Sequence, residues 1–409
     1  MSSLPKILAI LPHVIPSTTI NVIKPLAILH RQRQIVSNMA LEYWVSRRQV
    51  EAADVIVFCR NIEPRHKNAL AVAKELGKPI IYDLDDNLFM SLSGSRLGSR
   101  PSTEQTNQLV EYLESASLVR VYSEILRRRV VQINPNTVLM NGPLDWGCIP
   151  NRSIRREAHE KVKIIYATSR ISDELVNVFL EDVEQLLITH SGRVELYLWG
   201  VYCDRLADYS TVRFLKHITD YDRYFRKLAD FGFDIGLAPL LDDEFHLSKT
   251  NIKFREYAAC RIAGIYSDVK VYADSVSHEK TGLLVPNEKG EWYKALSRLV
   301  DDVELRTRIQ EQAFQYVRQH YSQDEFCAIW LEQIRAVLAK KNLMSTIPLT
   351  PRGLSSRSAE ELLSFTQIVK FVFRLIWRFV YNLRTRGVRQ AFGMARWILN
   401  DLTILFWRK

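Results

Sequence analysis

Along most of the chain, short apolar runs alternate with longer segments of mixed polarity. Lys6–Leu11 (KILAIL), Asp54–Cys59 (DVIVFC), Lys78–Asp83 (KPIIYD), Leu118–Tyr122 (LVRVY) and Thr137–Met140 (TVLM) have the length and continuous apolar character of strands buried on both faces. Between them the spacing predicts helices over Asn21–Arg31, Lys67–Leu76 (closed by Gly77), Gln105–Ala116 and the basic SEILRRRVVQI. The rhythm restarts at Val162–Ala167 (VKIIYA). It runs on through Val194–Trp199, Ile235–Ala238, Ile262–Tyr266 and TGLLVPN, with helices to Leu187, over Tyr221–Asp230, Glu291–Asp301 and Glu304–His320. Strand–helix alternation implies right-handed parallel crossovers and doubly wound sheets. The expected fold is therefore α/β, with two Rossmann-like domains over residues 1–150 and 151–341. The polar PNRSIRREAHEK links them, and residues 342–409 form an appendage.

The stretch from Asp234 to Asn287 carries the densest chemistry. A buried strand ending at Pro239 leads into an acidic loop (Asp242, Asp243, Glu244), and Ser248 or Thr250 is placed to cap the helix that follows. Lys249, Lys253 and Glu256 are four and then three residues apart, which would set them on one helix face. Asn251, Ile252 and Lys253 would offer first-turn N–H groups at the positive end of the helix dipole, so the helix start suits phosphates. A carboxylate further along suits sugar hydroxyls. A sugar joined to a diphosphate matches such a face; a solvated helix surface is the plainer reading. A similar N-terminus follows Val162–Ala167, where Thr168, Ser169 and Arg170 precede a helix. Arg170 is the second diphosphate candidate, against a solvated arginine.

Taken in order, DIGLAPL, the acidic loop with Phe245, SKTNIKFREYAA, IYSDV and HEKTGLLVPN, then WYKALSRLVDD and LRTRIQEQAFQYV, resemble the donor-binding half of GT-B-type nucleotide-sugar glycosyltransferases, especially glycosyltransferase family 4, the group 1 transferases. The resemblance spans roughly residues 160 to 340. It implies two Rossmann-like domains facing a cleft and transfer of a sugar from a nucleotide-sugar donor to a glycan or lipid-linked acceptor. Retention of configuration would be expected, with no metal and no cofactor. Glu256 would bind the nucleotide ribose, and Lys249 and Lys253 the diphosphate. One departure is plain: Ser248 stands where the family often has a second glutamate. In the same architecture a C-terminal helix braces the first domain, a role open to Asp324–Lys340.

Two first-domain segments are candidates for the rest of a site. The loop PHVIPSTT follows a strand end, where α/β sheets bind ligands, and offers His13 with Thr18 or Thr19; an ordinary surface loop is the alternative. IIYDLDDNLF places Asp83, Asp85 and Asp86 at another strand end. All three are expected to line the cleft and touch acceptor hydroxyls, with a magnesium site at the Asp-x-Asp as the alternative. The same segment also resembles the first motif of haloacid-dehalogenase-like phosphatases. A magnesium-dependent phosphatase using Asp83 is therefore one rival function, and a non-catalytic nucleotide- or glycan-binding module is the other.

The net charge of +10 changes the picture only at the end of the chain, since residues 350–409 hold eleven Lys/Arg against three Asp/Glu. There LLSFTQIVKFVFRLIWRFVYNL sets Lys370, Arg374 and Arg378 on one stripe among Phe, Val, Leu, Ile and Trp. Charges interrupt every long apolar window, so residues 362–383 read as an amphipathic helix for an anionic membrane surface rather than a span; docking on protein is the alternative. Apolar surroundings argue against nucleic acid. Five scattered cysteines and the lack of a signal peptide point to the cytoplasm, with a peripheral position on the inner membrane face.

Overall fold

The computed structural model describes residues 3–90, 100–149, 161–168 and 173–345. The linker (150–160), most of the Ser/Gly/Arg-rich stretch after Met90, Ser169, Arg170 and the whole basic tail lie outside the described residues.

Each half of the chain folds around one all-parallel, six-stranded sheet. The first holds β1 (Lys6–Leu11), β2 (Val36–Leu41), β3 (Val55–Cys59), β4 (Ile80–Leu84), β5 (Leu118–Val121) and β6 (Thr137–Leu139) in the order β2-β1-β3-β4-β5-β6. The second holds β7 (Val162–Ala167), β8 (Val194–Trp199), β9 (Val212–Leu215), β10 (Ile235–Ala238), β11 (Ala263–Ser267) and β12 (Leu283–Val285) in the order β12-β11-β10-β7-β8-β9. The α/β, doubly wound expectation holds for both. Two strands absent from the sequence reading, β2 and β9, are edge strands. Their mixed burial leaves VSNMAL and VRFL without a continuous apolar run.

Strand order locates the switch points. In the first sheet the chain leaves β1 toward β2 on one side, while β3 and its successors lie on the other. In the second the division falls between β7 and β10. Loops at the carboxyl ends of these strands diverge and leave a crevice, the usual ligand position in open α/β sheets. The helix Ile252–Ala259 follows β10 and packs tightly on it because Gly236 has no side chain: a Cβ there would sit 2.5 Å from the ring of Tyr257.

The closing helix Gln323–Ser345 leaves the second lobe and packs on the helix Lys24–Arg31 of the first. Phe326, Cys327, Trp330, Ile334 and Val337 join the core formed by Val22, Ile23, Leu26 and β1. Trp330 has no exposed surface; its indole N–H donates to the carbonyl of Asn21 at 2.9 Å and its ring stacks 3.5 Å from the guanidinium of Arg120. A buried ion cluster joins the lobes nearby. The Lys24 ammonium meets the carboxylates of Asp145 and Asp222, the latter at 2.5 Å, with the thiol of Cys148 at 3.3 Å. Asp145, Cys148 and Asp222 are close enough together to ligate an ion, but the Lys24 ammonium occupies their centre.

Candidate functional site

The connection after β10 differs from its expected form. Asp243 caps a short helix, Glu244–Leu247, by accepting from the His246 N–H at 2.9 Å, and the chain turns again before Ile252. Ser248 is the C-cap of that short helix, and its hydroxyl donates back to the Glu244 carbonyl at 2.6 Å. The N-cap of the long helix is Asn251, so neither Ser248 nor Thr250 caps it; Thr250 lies half-buried in the connection. The Asn251 amide donates instead to Ser275 at 2.8 Å and to the Tyr321 hydroxyl at 2.7 Å, pinning the helix start.

Lys249 therefore precedes the helix and does not share a face with Lys253 and Glu256; the extra turn breaks the assumed i,i+4 register. Its ammonium lies 4.0 Å from the centre of the Phe245 ring and 3.8 Å from the carboxylate of Asp86 in the other lobe. Lys253 and Glu256 do pair, at 2.8 Å, and the Tyr224 hydroxyl joins them, 2.9 Å from the Lys253 ammonium and 3.2 Å from Glu256. Glu256 is only 2% exposed while the Lys253 side chain keeps about a quarter of its surface, so the cation is the accessible member. Tyr224 carries no sequence motif; it arrives on the helix Tyr221–Phe231, ahead of the Asp234–Asn287 stretch.

The loops after β7 and β10 flank the second switch point, so Lys249, Asn251 and Lys253 stand at the crevice that strand order predicts. First-turn N–H groups and two lysines make that rim electropositive.

Across the seam the first sheet presents a rim of carboxylates organised by a residue the sequence reading missed. Arg60, just past β3 and held at φ 63°, binds Asp85 at 2.9 Å, Asp86 at 3.2 Å and the Ser17 hydroxyl at 3.0 Å. A cation at Asp85 and Asp86 would have to displace this guanidinium. His13 is half-buried, and burial, reinforced by Arg60 and His66 against the opposing pull of Glu63, lowers its pKa to about 4, so the ring is neutral near pH 7. Thr18 turns inward, its hydroxyl accepting from the Ile15 N–H at 3.0 Å with the His13 and Ile15 carbonyls both in reach of its single hydrogen.

Asp83 does not line the cleft. It has no exposed surface and is enclosed by the Tyr122 hydroxyl at 2.8 Å, Arg120 at 3.4 Å and Cys59 at 3.8 Å. Burial, opposed by Arg120 and Tyr122, raises its carboxyl to about 7. A sealed carboxylate cannot attack a phosphate ester, which removes the structural basis for an Asp83 phosphatase.

Two Rossmann-like lobes with facing switch points, an electropositive helix start on one and a carboxylate rim on the other, define the GT-B class of architecture. Residues 162–302 match the family model described as "Glycosyl transferases group 1". No curated protein matches the sequence. Among solved structures, HepE of Anabaena in complex with UDP is 15% identical over 81% of this chain and 100% of its own, with a TM-score of 0.58. Sucrose-phosphate synthase from Thermosynechococcus elongatus is 14% identical over 82% of this chain and 100% of its own, with a TM-score of 0.61. A glycosyltransferase from Rickettsia africae gives 14%, 82%, 99% and 0.58 for the same quantities. Residues 162–302 thus carry the likeness to the group 1 glycosyltransferase model, and the chain as a whole has the GT-B fold.

Proposed function

We propose that the protein moves a sugar from a nucleoside diphosphate sugar to a hydroxyl of a glycan or lipid-linked acceptor. The carrying observation is the Lys253–Glu256–Tyr224 cluster on the helix that follows β10 at the β7/β10 switch point, with Lys249 just ahead of that helix meeting Asp86 of the first lobe. Residues 1–150 serve the acceptor and 151–341 the donor. Lys253, Lys249 and Arg170, with Ser169 and the helix N–H groups, receive the diphosphate; Glu256, paired as it is, orients the ribose. The bond between the anomeric carbon and the β-phosphate oxygen breaks, and one to the acceptor oxygen forms. The acceptor proton leaves with the phosphate, which accounts for retention without a protein base. The lysines and the helix dipole stabilise the charge that develops on the leaving diphosphate, so no metal is called on. His13, neutral near pH 7, together with Asp85 and Asp86 would contact acceptor hydroxyls.

HepE was solved with UDP and with UDP-glucose, which makes a uridine donor the first to test. No helix among the described residues is long and apolar enough to cross a membrane. The stripe Lys370, Arg374, Arg378 supports a peripheral position on an anionic cytoplasmic surface and a role in polysaccharide assembly. The test is a thermal-shift panel of UDP, GDP and their hexose conjugates, followed by turnover with Lys253→Ala and Glu256→Ala. Binding by a native-state ligand raises the melting temperature. We expect Lys253→Ala to lower kcat by about 10²-fold, the scale of one lost transition-state charge contact. Glu256→Ala should chiefly raise the donor KM. Nucleotide binding without turnover would establish the non-catalytic module instead, and no binding at all would refute the proposal.

A further inference from the structure

Asn87 closes the IIYDLDDN segment of the first lobe, has no exposed surface, and reaches across the seam to Ser248 in the second. Its amide orientation follows from the network. The Ser248 hydroxyl spends its hydrogen on the Glu244 carbonyl at 2.6 Å, so whatever faces its oxygen from the first lobe must donate. That group is the Asn87 amide nitrogen, at 3.1 Å. The amide oxygen then points away from Ser248, and among the described residues this buried Oδ1 has no hydrogen-bond partner. A fully buried amide with one half anchored and the other half unsatisfied is costly, and such groups call for an explanation.

Position supplies one. Lys253 and Glu256 mark one end of the electropositive rim and Lys249 the other, where it meets Asp86, the neighbour of Asn87. A diphosphate laid along these cations has its nucleoside toward Glu256, so the sugar falls beyond Lys249, at the seam. We propose that Asn87 reads one hydroxyl of the transferred sugar through Oδ1, with Ser248 as the anchor that holds the amide in this orientation. Asn87, unlike Asp83, lies past the strand and at the seam, where Oδ1 is covered only while the Asn87–Ser248 contact is made; the sugar therefore enters before the lobes meet there, and specificity for it is set partly from the acceptor lobe. The inference rests on the glycosyltransferase reading above.

The test uses the full chain and the best-turned-over member of a UDP- and GDP-hexose panel, together with its 2-, 3-, 4- and 6-deoxy analogues. Wild type is expected to discriminate against one deoxy donor by about tenfold in kcat/KM, the scale of a neutral hydrogen bond. Asn87→Ala should erase that single preference, leave the other three ratios unchanged, and leave affinity for the bare nucleoside diphosphate within about twofold. Ser248→Ala, a milder change that frees the amide, should weaken the same preference. If Asn87 is only an interlobe lock, all five donors will lose activity equally and the selectivity profile will keep its shape; that result overturns the inference while turnover itself upholds the function. An unchanged profile at full activity also overturns it. If no donor is bound or turned over by wild type, the functional reading fails first and the inference falls with it.

Discussion

Glu42 offers a quantitative test of how the first lobe's rim is built. It follows β2, is 6% exposed, and accepts a hydrogen bond from the Asn61 amide at 2.7 Å. Burial lifts its carboxyl from 4.5 to about 7, against the pull of Asn61 and with a smaller push from Glu63. An acid raised in the folded state keeps a proton that the unfolded chain has lost. Stability therefore falls as pH rises from 4.5 to about 7 and is level above that. A carboxyl raised from 4.5 to about 7 costs about 3.5 kcal/mol in all, of which about 3 kcal/mol falls between pH 4.5 and about 8. Glu42→Gln keeps the shape, and its amide oxygen can still accept from Asn61, but it does not titrate. Urea denaturation of both proteins, followed by tryptophan fluorescence from pH 4.5 to about 8, should show the variant gaining about 3 kcal/mol on wild type across that window. Parallel pH profiles would refute the reasoning, and so would a wild type that gains on the variant.

Two further predictions concern the bracing of the lobes. Lys24→Met leaves Asp145 and Asp222 facing each other without their cation and should cost about 3–5 kcal/mol in denaturant melts. Lys24 is buried, which alone would lower its pKa, but Asp145 and Asp222 outweigh that and raise it above 10.5. Asp145 is lowered below 3.8, the pull of Lys24 overcoming burial. The cluster's stabilisation is thus complete between those two values. It fades as pH falls through the lowered Asp145 pKa or rises through the raised Lys24 one, and the variant should lack both limbs. Trp330→Ala should cost about 3–5 kcal/mol by opening a cavity, whereas Trp330→Phe should cost only about 1–2 kcal/mol for the stranded Asn21 carbonyl; equal losses in the two variants would deny the indole bond its role.

The sheets were legible because their central strands are buried on both faces, and a run such as VKIIYA has no other simple reading. β1, β7, β8 and β10 fall on their expected residues for that reason. The edge strands β2 and β9 mix polar with apolar positions and left no such trace. The site was half legible. The i,i+3 spacing of Lys253 and Glu256 survives because both lie inside one helix, whereas Lys249 was misplaced because Asp243 starts a separate short helix that periodicity alone does not reveal. Tyr224 and Arg60 were out of reach for a different reason. Each is joined to the site by the strand order of its sheet, more than twenty residues from its partner in sequence.

Asp83, Asp85 and Asp86 show what spacing cannot decide. Three acids within four residues look like one metal-binding or catalytic motif, yet the pleat and the strand end send them to different places. Asp83, still inside β4, turns into the core against Tyr122 and Arg120; Asp85 and Asp86, past the strand, swing onto Arg60 at the cleft rim. Asp83 is sealed within the sheet beside Arg120, whereas Asp85 and Asp86 are largely covered by their pairing with Arg60 beyond it. The boundary between the two settings is the last residue of the strand. That boundary also explains Asn87: one step past Asp86 the chain has left the sheet and can cross the seam, which no residue inside β4 could do.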